Sequence, residues 1–166
     1  MTRILIADDH VIVREGLKQI IAKASDITVA AEATDGRETL RKAAAKNCDV
    51  VVLDITLPDM SGLEVLRLLK NENPKLPILI LSLHPEETYA VRALRAGASG
   101  YLAKESTPEQ LIAAIRKVSL GGKYISPSLA ERLACDMETY DERAPHEKLS
   151  DREFQVIRLL ANRLAD

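Results

Sequence analysis

The sequence predicts an α/β fold: a doubly wound, five-stranded parallel sheet in the order 2-1-3-4-5. Two observations carry this. Five short apolar runs, Ile4–Ala7, Ile27–Ala33, Val50–Leu53, Ile78–Leu81 and Gly100–Ala103, are continuous rather than alternating, as expected of strands covered on both faces. Between them lie amphipathic stretches with helix starts, and strand–helix alternation with short connections implies right-handed crossovers to a parallel sheet.

The helix signals are local. Asp35 with Glu38, and Ser61 with Glu64, have capping-box spacing. Thr107-Pro108-Glu109-Gln110 offers a cap, a proline in the first turn and a box residue. The helix after it carries Leu111, Ile112, Ile115 and Val118 on one face and stops at Gly121-Gly122. Residues 1–121 therefore form the first domain. A linker, 122–148, follows. It holds a helix expected over Ser128–Tyr140, then a polar segment from Asp141 to Lys148 broken by Pro145. In 149–166, Leu149-Ser150-Asp151-Arg152-Glu153-Phe154 combines a capping box with a hydrophobic staple, and Val156, Ile157, Leu159, Leu160 and Leu164 continue a helix. A lone amphipathic helix cannot bury its own stripe, so this segment is either a terminal helix docked on the first domain or the first helix of a truncated second domain, the reading that the resemblance given below favours.

Composition narrows the function. The 166 residues are 46% hydrophobic, enough for a core, with a formal net charge of -2 that gives no whole-protein basic field for nucleic acid. Cys48 and Cys135 are far apart and read as free thiols in a reducing compartment. No signal peptide or membrane span is evident, so a cytoplasmic location is expected.

The chemistry lies at the ends of the apolar runs. The first ends in Asp8-Asp9, the third in Asp54, the fourth in Ser82 and the fifth in Lys104. In an open parallel sheet these ends share one edge, where ligands bind. With strands one and three adjacent, Asp8, Asp9 and Asp54 converge. Three close carboxylates need a cation, and Mg2+ suits a few carboxylates, retained waters and phosphate oxygens. Lys104 adds positive charge on the far side and Ser82 a hydroxyl, which together frame a phosphoryl group on an aspartate. Pro58-Asp59-Met60-Ser61-Gly62 is expected as a tight turn that leaves room above Asp54, and Tyr101 as a mobile aromatic lever near Lys104. His10, His84 and His146 are scattered and form no metal-type cluster; His10 and His84 are expected to start the first and fourth helices. Asp136 to Glu142 reads as a solvated acidic face.

Asp8-Asp9, the segment Asp54-Ile55-Thr56-Leu57-Pro58-Asp59-Met60-Ser61-Gly62, Ser82 and Gly100-Tyr101-Leu102-Ala103-Lys104 resemble a bacterial two-component response-regulator receiver, a flavodoxin-like fold. Leu149-Ser150-Asp151-Arg152-Glu153 resembles the start of a LuxR-type helix-turn-helix, which suggests the NarL/FixJ class. The resemblance implies that a sensor histidine kinase donates a phosphoryl group to Asp54. It implies Mg2+ on Asp9, Asp54 and the backbone carbonyl of Thr56, with Asp8 assisting. Ser82 and Tyr101 would reorient together as the switch, and Lys104 would contact phosphoryl oxygens. It further implies homodimerisation on phosphorylation and promoter DNA as the partner of the full-length parent, though not of a chain that stops before the reading helix. The protein would be a phosphoacceptor with self-phosphorylation and self-dephosphorylation only. Many receivers have proline after the lysine; Glu105 stands here, so no cis bond is expected.

Three rivals remain at this stage. A haloacid-dehalogenase-type aspartyl-phosphate phosphatase places its nucleophile and a second acid two residues apart after the first strand, whereas Asp8 and Asp9 are adjacent. A flavodoxin-like cofactor binder needs a phosphate loop where this chain has acids. An interaction module with a decayed site is at odds with the intact set of residues.

Overall fold

The computed structural model describes residues 1–138, Glu153 and 155–160. Five parallel strands form one sheet: β1 (Thr2–Ala7), β2 (Ile27–Ala33), β3 (Val50–Asp54), β4 (Ile78–Ser82) and β5 (Gly100–Ala103). Their order is β2-β1-β3-β4-β5, the order expected. Every residue of β3 and β4 is buried, and the β2 edge is only partly so. That gradient is why the central runs carry no polar alternation.

Helices cover both faces. α1 (Val11–Ala22) and α5 (Pro108–Ser119) pack on one side, where Leu17, Ile21, Leu111 and Ile115 meet Ile4, Ile6 and Val52. On the other side lie α2 (Gly36–Ala44), α3 (Gly62–Glu72) and α4 (Glu86–Arg95); Leu63, Leu66 and Tyr89 meet Leu5, Leu53 and Ile80 there. α6 (Pro127–Glu138) is held against α4 through the buried Leu129. It starts one residue earlier than the sequence suggests, because Ser126 Oγ accepts from Leu129 N–H at 3.1 Å and makes Pro127 the first helical residue.

The caps match expectation in part. Thr107 and Gln110 close a full capping box on α5. Asp35 caps α2 by accepting from Glu38 N–H at 2.7 Å, but the Glu38 carboxylate turns to Thr34, bonding its N–H (2.8 Å) and hydroxyl (3.0 Å). Ser61 caps α3 through Leu63 N–H at 3.2 Å, without the reciprocal Glu64 bond of a full capping box among the described residues. α5 ends as the glycine pair predicts. Gly121 takes φ 86°, its N–H bonds Val118 O, and Gly122 N–H bonds Lys117 O, the paired carbonyl closures of a Schellman end. His10 is the N-cap of α1, as expected; α4 instead begins at Glu86 after Pro85, so His84 lies in the preceding loop.

The polar stretch 141–148, the acidic side chains 136–142 and the staple of Leu149 and Phe154 lie outside the described residues. Residues 155–160 are helical, and the Gln155 side chain donates to Ile55 O at 3.5 Å. No helix among the described residues is long and apolar enough to cross a membrane, and neither cysteine is in a disulfide.

Candidate functional site

Strand register builds the site as a staircase. Ala7 pairs with Leu53, so Asp8 emerges beside Asp54. Asp54 pairs with Leu81, so Ser82 stands one step beyond it; Ser82 pairs with Ala103, and Lys104 follows. Asp8, Asp54 and Ser82 are buried at the carboxyl edge, at 2%, 4% and 0% exposure, while Asp9 next to them is open to solvent.

Lys104 does not stand on the far side, as its sequence position suggests, but enters the centre. Its Nζ lies 2.6 Å from Asp8 Oδ2 and 3.0 Å from Asp54 Oδ2, with only 7% of the side chain exposed. Its long stem lets the ammonium reach back over the strand ends, which position alone does not reveal. Burial opposes the charged ammonium, but the contact with Asp8 and the field of Asp54 outweigh it and raise the Lys104 pKa. For Asp54 the balance is reversed. Burial raises its pKa, and the Lys104 charge and hydrogen bond only partly offset this.

The β3–α3 turn packs closely on the end of β3. Gly62 N–H bonds Ile55 O at 2.7 Å, and a Cβ at Gly62 would lie 2.1 Å from Asp54 O, so a side chain is excluded there. Asp59, on this turn, accepts from the N–H groups of Gly36 (2.7 Å) and Arg37 (3.0 Å) and so ties the turn to the start of α2. Burial works to raise the Asp59 pKa, but those backbone donors prevail and lower it.

Ser82 and Tyr101 meet at one residue. Ser82 Oγ accepts from His84 N–H at 3.0 Å, and the Tyr101 hydroxyl donates to His84 O at 3.1 Å. Tyr101 is 2% exposed, so its ring lies inside, under the β4–α4 loop. The His84 ring reaches Thr56 Oγ1 at 3.2 Å and packs on Tyr89 with centroids 4.8 Å apart. Burial, then the positive charges of Arg158 and Lys104, lower the His84 pKa. Thr56, His84 and Tyr89 line one wall of a cavity of about 220 Å³ whose other wall is Gln155, Arg158 and Leu159.

The sequence reading leaves the histidines out of any metal cluster, and this needs correcting for His10. Ligand atoms of Asp8, Asp9, His10 and Asp54 lie within 4.8 Å of one another. The missed signal is the position of His10, directly after two acids at a strand end. The donor set suits a hard divalent cation, since carboxylate oxygens dominate it. Asp8 Oδ2 is buried and faces the Lys104 ammonium at 2.6 Å, so these carboxylates already sit against a positive charge, as acids that share a cation would.

The receiver-domain model of response regulators matches residues 4–116. The chain belongs to the response-regulator receiver family. Response regulator GacA of Pseudomonas aeruginosa is 33% identical over 163 residues, 98% of this chain and 76% of that protein. Response regulator UvrY of Escherichia coli O6:H1 is 32% identical over 161 residues, covering 96% and 74%. A crystal structure of a LuxR-family two-component response regulator from Aurantimonas superposes with a TM-score of 0.75 at 38% identity, covering 82% of this chain and 99% of that one. These relatives support the NarL/FixJ class and a role in phosphorylation-dependent transcription regulation. The fold they share is the flavodoxin-like sheet described above.

Proposed function

We propose that Asp54 is the phosphoacceptor of this receiver and that a sensor histidine kinase is its donor. The observation that carries the proposal is the Lys104 ammonium lying within 3.0 Å of both Asp8 and Asp54 at the sheet edge. An Asp54 carboxylate oxygen bonds phosphorus as the bond from phosphorus to the donor breaks, and the electron pair leaves with the donor. Asp8, Asp9, Asp54 and the backbone carbonyl of Thr56 would hold Mg2+, which when bound supplies charge neutralisation for phosphoryl oxygens.

The chain's own groups do the rest. Lys104, already charged in the site, neutralises a phosphoryl oxygen, and Ser82 offers a hydroxyl once it releases His84 N–H. Two charge-assisted contacts of this kind stabilise the phosphorylated form by roughly 3–5 kcal/mol, enough to reverse a mostly-off population. Tyr101 transmits the change, since its hydroxyl holds the same loop residue that Ser82 holds. The surface of α4, β5 and α5 then changes shape, which favours homodimerisation.

Residues 1–121 form the receiver in this reading, 122–148 a helical linker, and 149–166 the opening helix of a LuxR-type DNA-binding output domain. Val156, Ile157, Leu159 and Leu160 are about half exposed or more, which supports a further partner for that helix. The output domain binds promoter DNA in the whole protein, and the protein works in the cytoplasm. It turns over no external substrate; it phosphorylates and dephosphorylates itself alone.

Mass spectrometry after treatment with acetyl phosphate and Mg2+, with sizing in parallel, tests this. The expected result is one phosphoryl group on the wild type, none on Asp54→Asn, and a shift toward dimer with the label. Label retained by Asp54→Asn would defeat the assignment.

A further inference from the structure

The ladders that β1 makes with β2 and β3 both stop at Ala7. Asp8 is therefore outside the strand register, yet its carboxylate is buried and faces Lys104. Two backbone contacts hold it there. Its N–H donates to Ala33 O, at the end of β2, across 3.1 Å. Its carbonyl accepts from Arg14 Nη1, on α1, at 2.7 Å.

Arg14 has only 11% of its side chain exposed, so its guanidinium is spent inside the protein rather than in water. Its Nε donates to Glu32 Oε2 at 3.1 Å. Glu32 stands on β2 opposite Ile6 and also accepts from Lys18 Nζ at 2.9 Å. The planar guanidinium thus joins two points in fixed directions, a carbonyl through Nη1 and a carboxylate through Nε. An ammonium, with its single nitrogen, does not reproduce that fork. Glu32 offsets the arginine charge, so what Arg14 gives Asp8 is orientation rather than field.

We propose that Arg14 is a positioning residue for the phosphoacceptor site: clamped by Glu32, it fixes the Asp8 carbonyl and so the stance of the Asp8 carboxylate beside Asp54. The inference rests on the reading that Asp8 and Asp54 share Mg2+. That ion demands near-ideal octahedral geometry, so a displaced carboxylate lowers its affinity. Groups that orient a ligand from behind are typically worth about 10–100-fold in metal affinity. Arg14 reaches Asp8 from the carbonyl side, away from the carboxylate. Its loss therefore weakens the hold on the ion and leaves the chemistry at saturating Mg2+ in place.

Calorimetric titration of the whole chain with Mg2+ tests this in wild type, Arg14→Lys, Arg14→Met, Glu32→Gln and Lys18→Met. Labelling of Asp54 by acetyl phosphate across a Mg2+ series runs beside it, and circular dichroism sets a temperature at which each variant is folded. The expected result is a loss of about tenfold or more in Mg2+ affinity for both Arg14 variants. Their labelling needs more Mg2+ by the same factor, while the rate at saturating Mg2+ stays within about threefold of wild type. Glu32→Gln, which keeps Arg14 but loosens its clamp, weakens Mg2+ binding in the same direction by about threefold, and it carries the test if the Arg14 variants do not fold. Lys18→Met removes an ion pair of the same network without touching Asp8, and its Mg2+ affinity stays within about twofold. A role in stability alone would lower unfolding temperatures and leave the Mg2+ midpoints where they are, and that result overturns the proposal. So does a loss in Lys18→Met equal to that in Arg14→Met, which would assign the effect to charge. These outcomes leave the phosphoacceptor reading standing, provided that wild type binds Mg2+ and takes the label. A wild type that does neither removes that reading and this inference with it.

Discussion

The Tyr101 hydroxyl donates to the backbone carbonyl of His84 across 3.1 Å, from a ring that is fully enclosed. The amide of that same His84 donates to Ser82. Two hydroxyls on adjacent strands thus hold one loop residue from its two backbone sides. Movement of one changes what the other holds, which gives the loop a physical basis for two states.

Tyr101→Phe removes the hydroxyl and keeps the ring volume. Stability should fall by only about 1 kcal/mol, the net worth of one hydrogen bond. Phosphorylation of Asp54 should persist while the coupled shift toward dimer weakens. Urea unfolding and sizing of the phosphorylated variant measure the two effects, and a loss of labelling itself would contradict this division of roles.

Lys104→Met leaves Asp8 and Asp54 buried without their cation. Removing one partner of a buried pair costs about 3–5 kcal/mol. The raised pKa of Lys104 sets the sign of its own contribution: present below the unfolded lysine value and lost as pH rises through the folded one. The variant should therefore be destabilised at neutral pH, and excess Mg2+ should restore part of the loss. Thermal unfolding with and without Mg2+ checks it; equal loss in both conditions would argue that the acids do not share a metal.

The fold was legible because each central strand is buried on both faces, so a run such as Val50–Leu53 had no reason to alternate. The edge residues were legible for a related reason: a charged group that ends a buried run must sit at the sheet's rim. Contacts made through space were not. Lys104 read as part of the site but on its far side, because a stem of four methylenes hides how far its ammonium reaches toward Asp8. Asp59 read as a turn residue, yet it holds the start of α2, 23 positions away. His84 gained its place from the Ser82 and Tyr101 hydroxyls, which no spacing rule connects to it.

The same substitution at two glycines should have opposite signs. Gly62→Ala drives a Cβ to 2.1 Å from Asp54 O and 2.7 Å from Ile55 Cα, both backbone, so the β3–α3 turn must move. A cost of about 3 kcal/mol or more is expected, with loss of labelling at Asp54. Gly16 in α1 has nothing within 4 Å of an added Cβ and is exposed. Gly16→Ala should stabilise by about 0.5–1 kcal/mol through helix propensity. Chemical unfolding of both variants decides, and a stabilised Gly62→Ala would place the turn elsewhere.

Burial raises the Asp54 pKa, and Lys104 only partly reverses it. An ordinary aspartate titrates near ~3.9. Between that value and the folded one, the folded chain holds a proton that the unfolded chain has released. This carboxyl thus stabilises the fold at low pH, and that contribution is lost as pH rises through the folded value. In the proposed phosphoacceptor role its reactivity runs the other way, since only the ionised carboxylate attacks phosphorus. Carbon-13 titration of the Asp54 carboxyl in metal-free protein should give a midpoint above the ordinary value. Added Mg2+ should lower that midpoint, because a nearby cation favours the ionised form. A midpoint that ignores Mg2+ would mean that the ion does not bind within reach of Asp54, and the cage of acids and ammonium would then need another explanation.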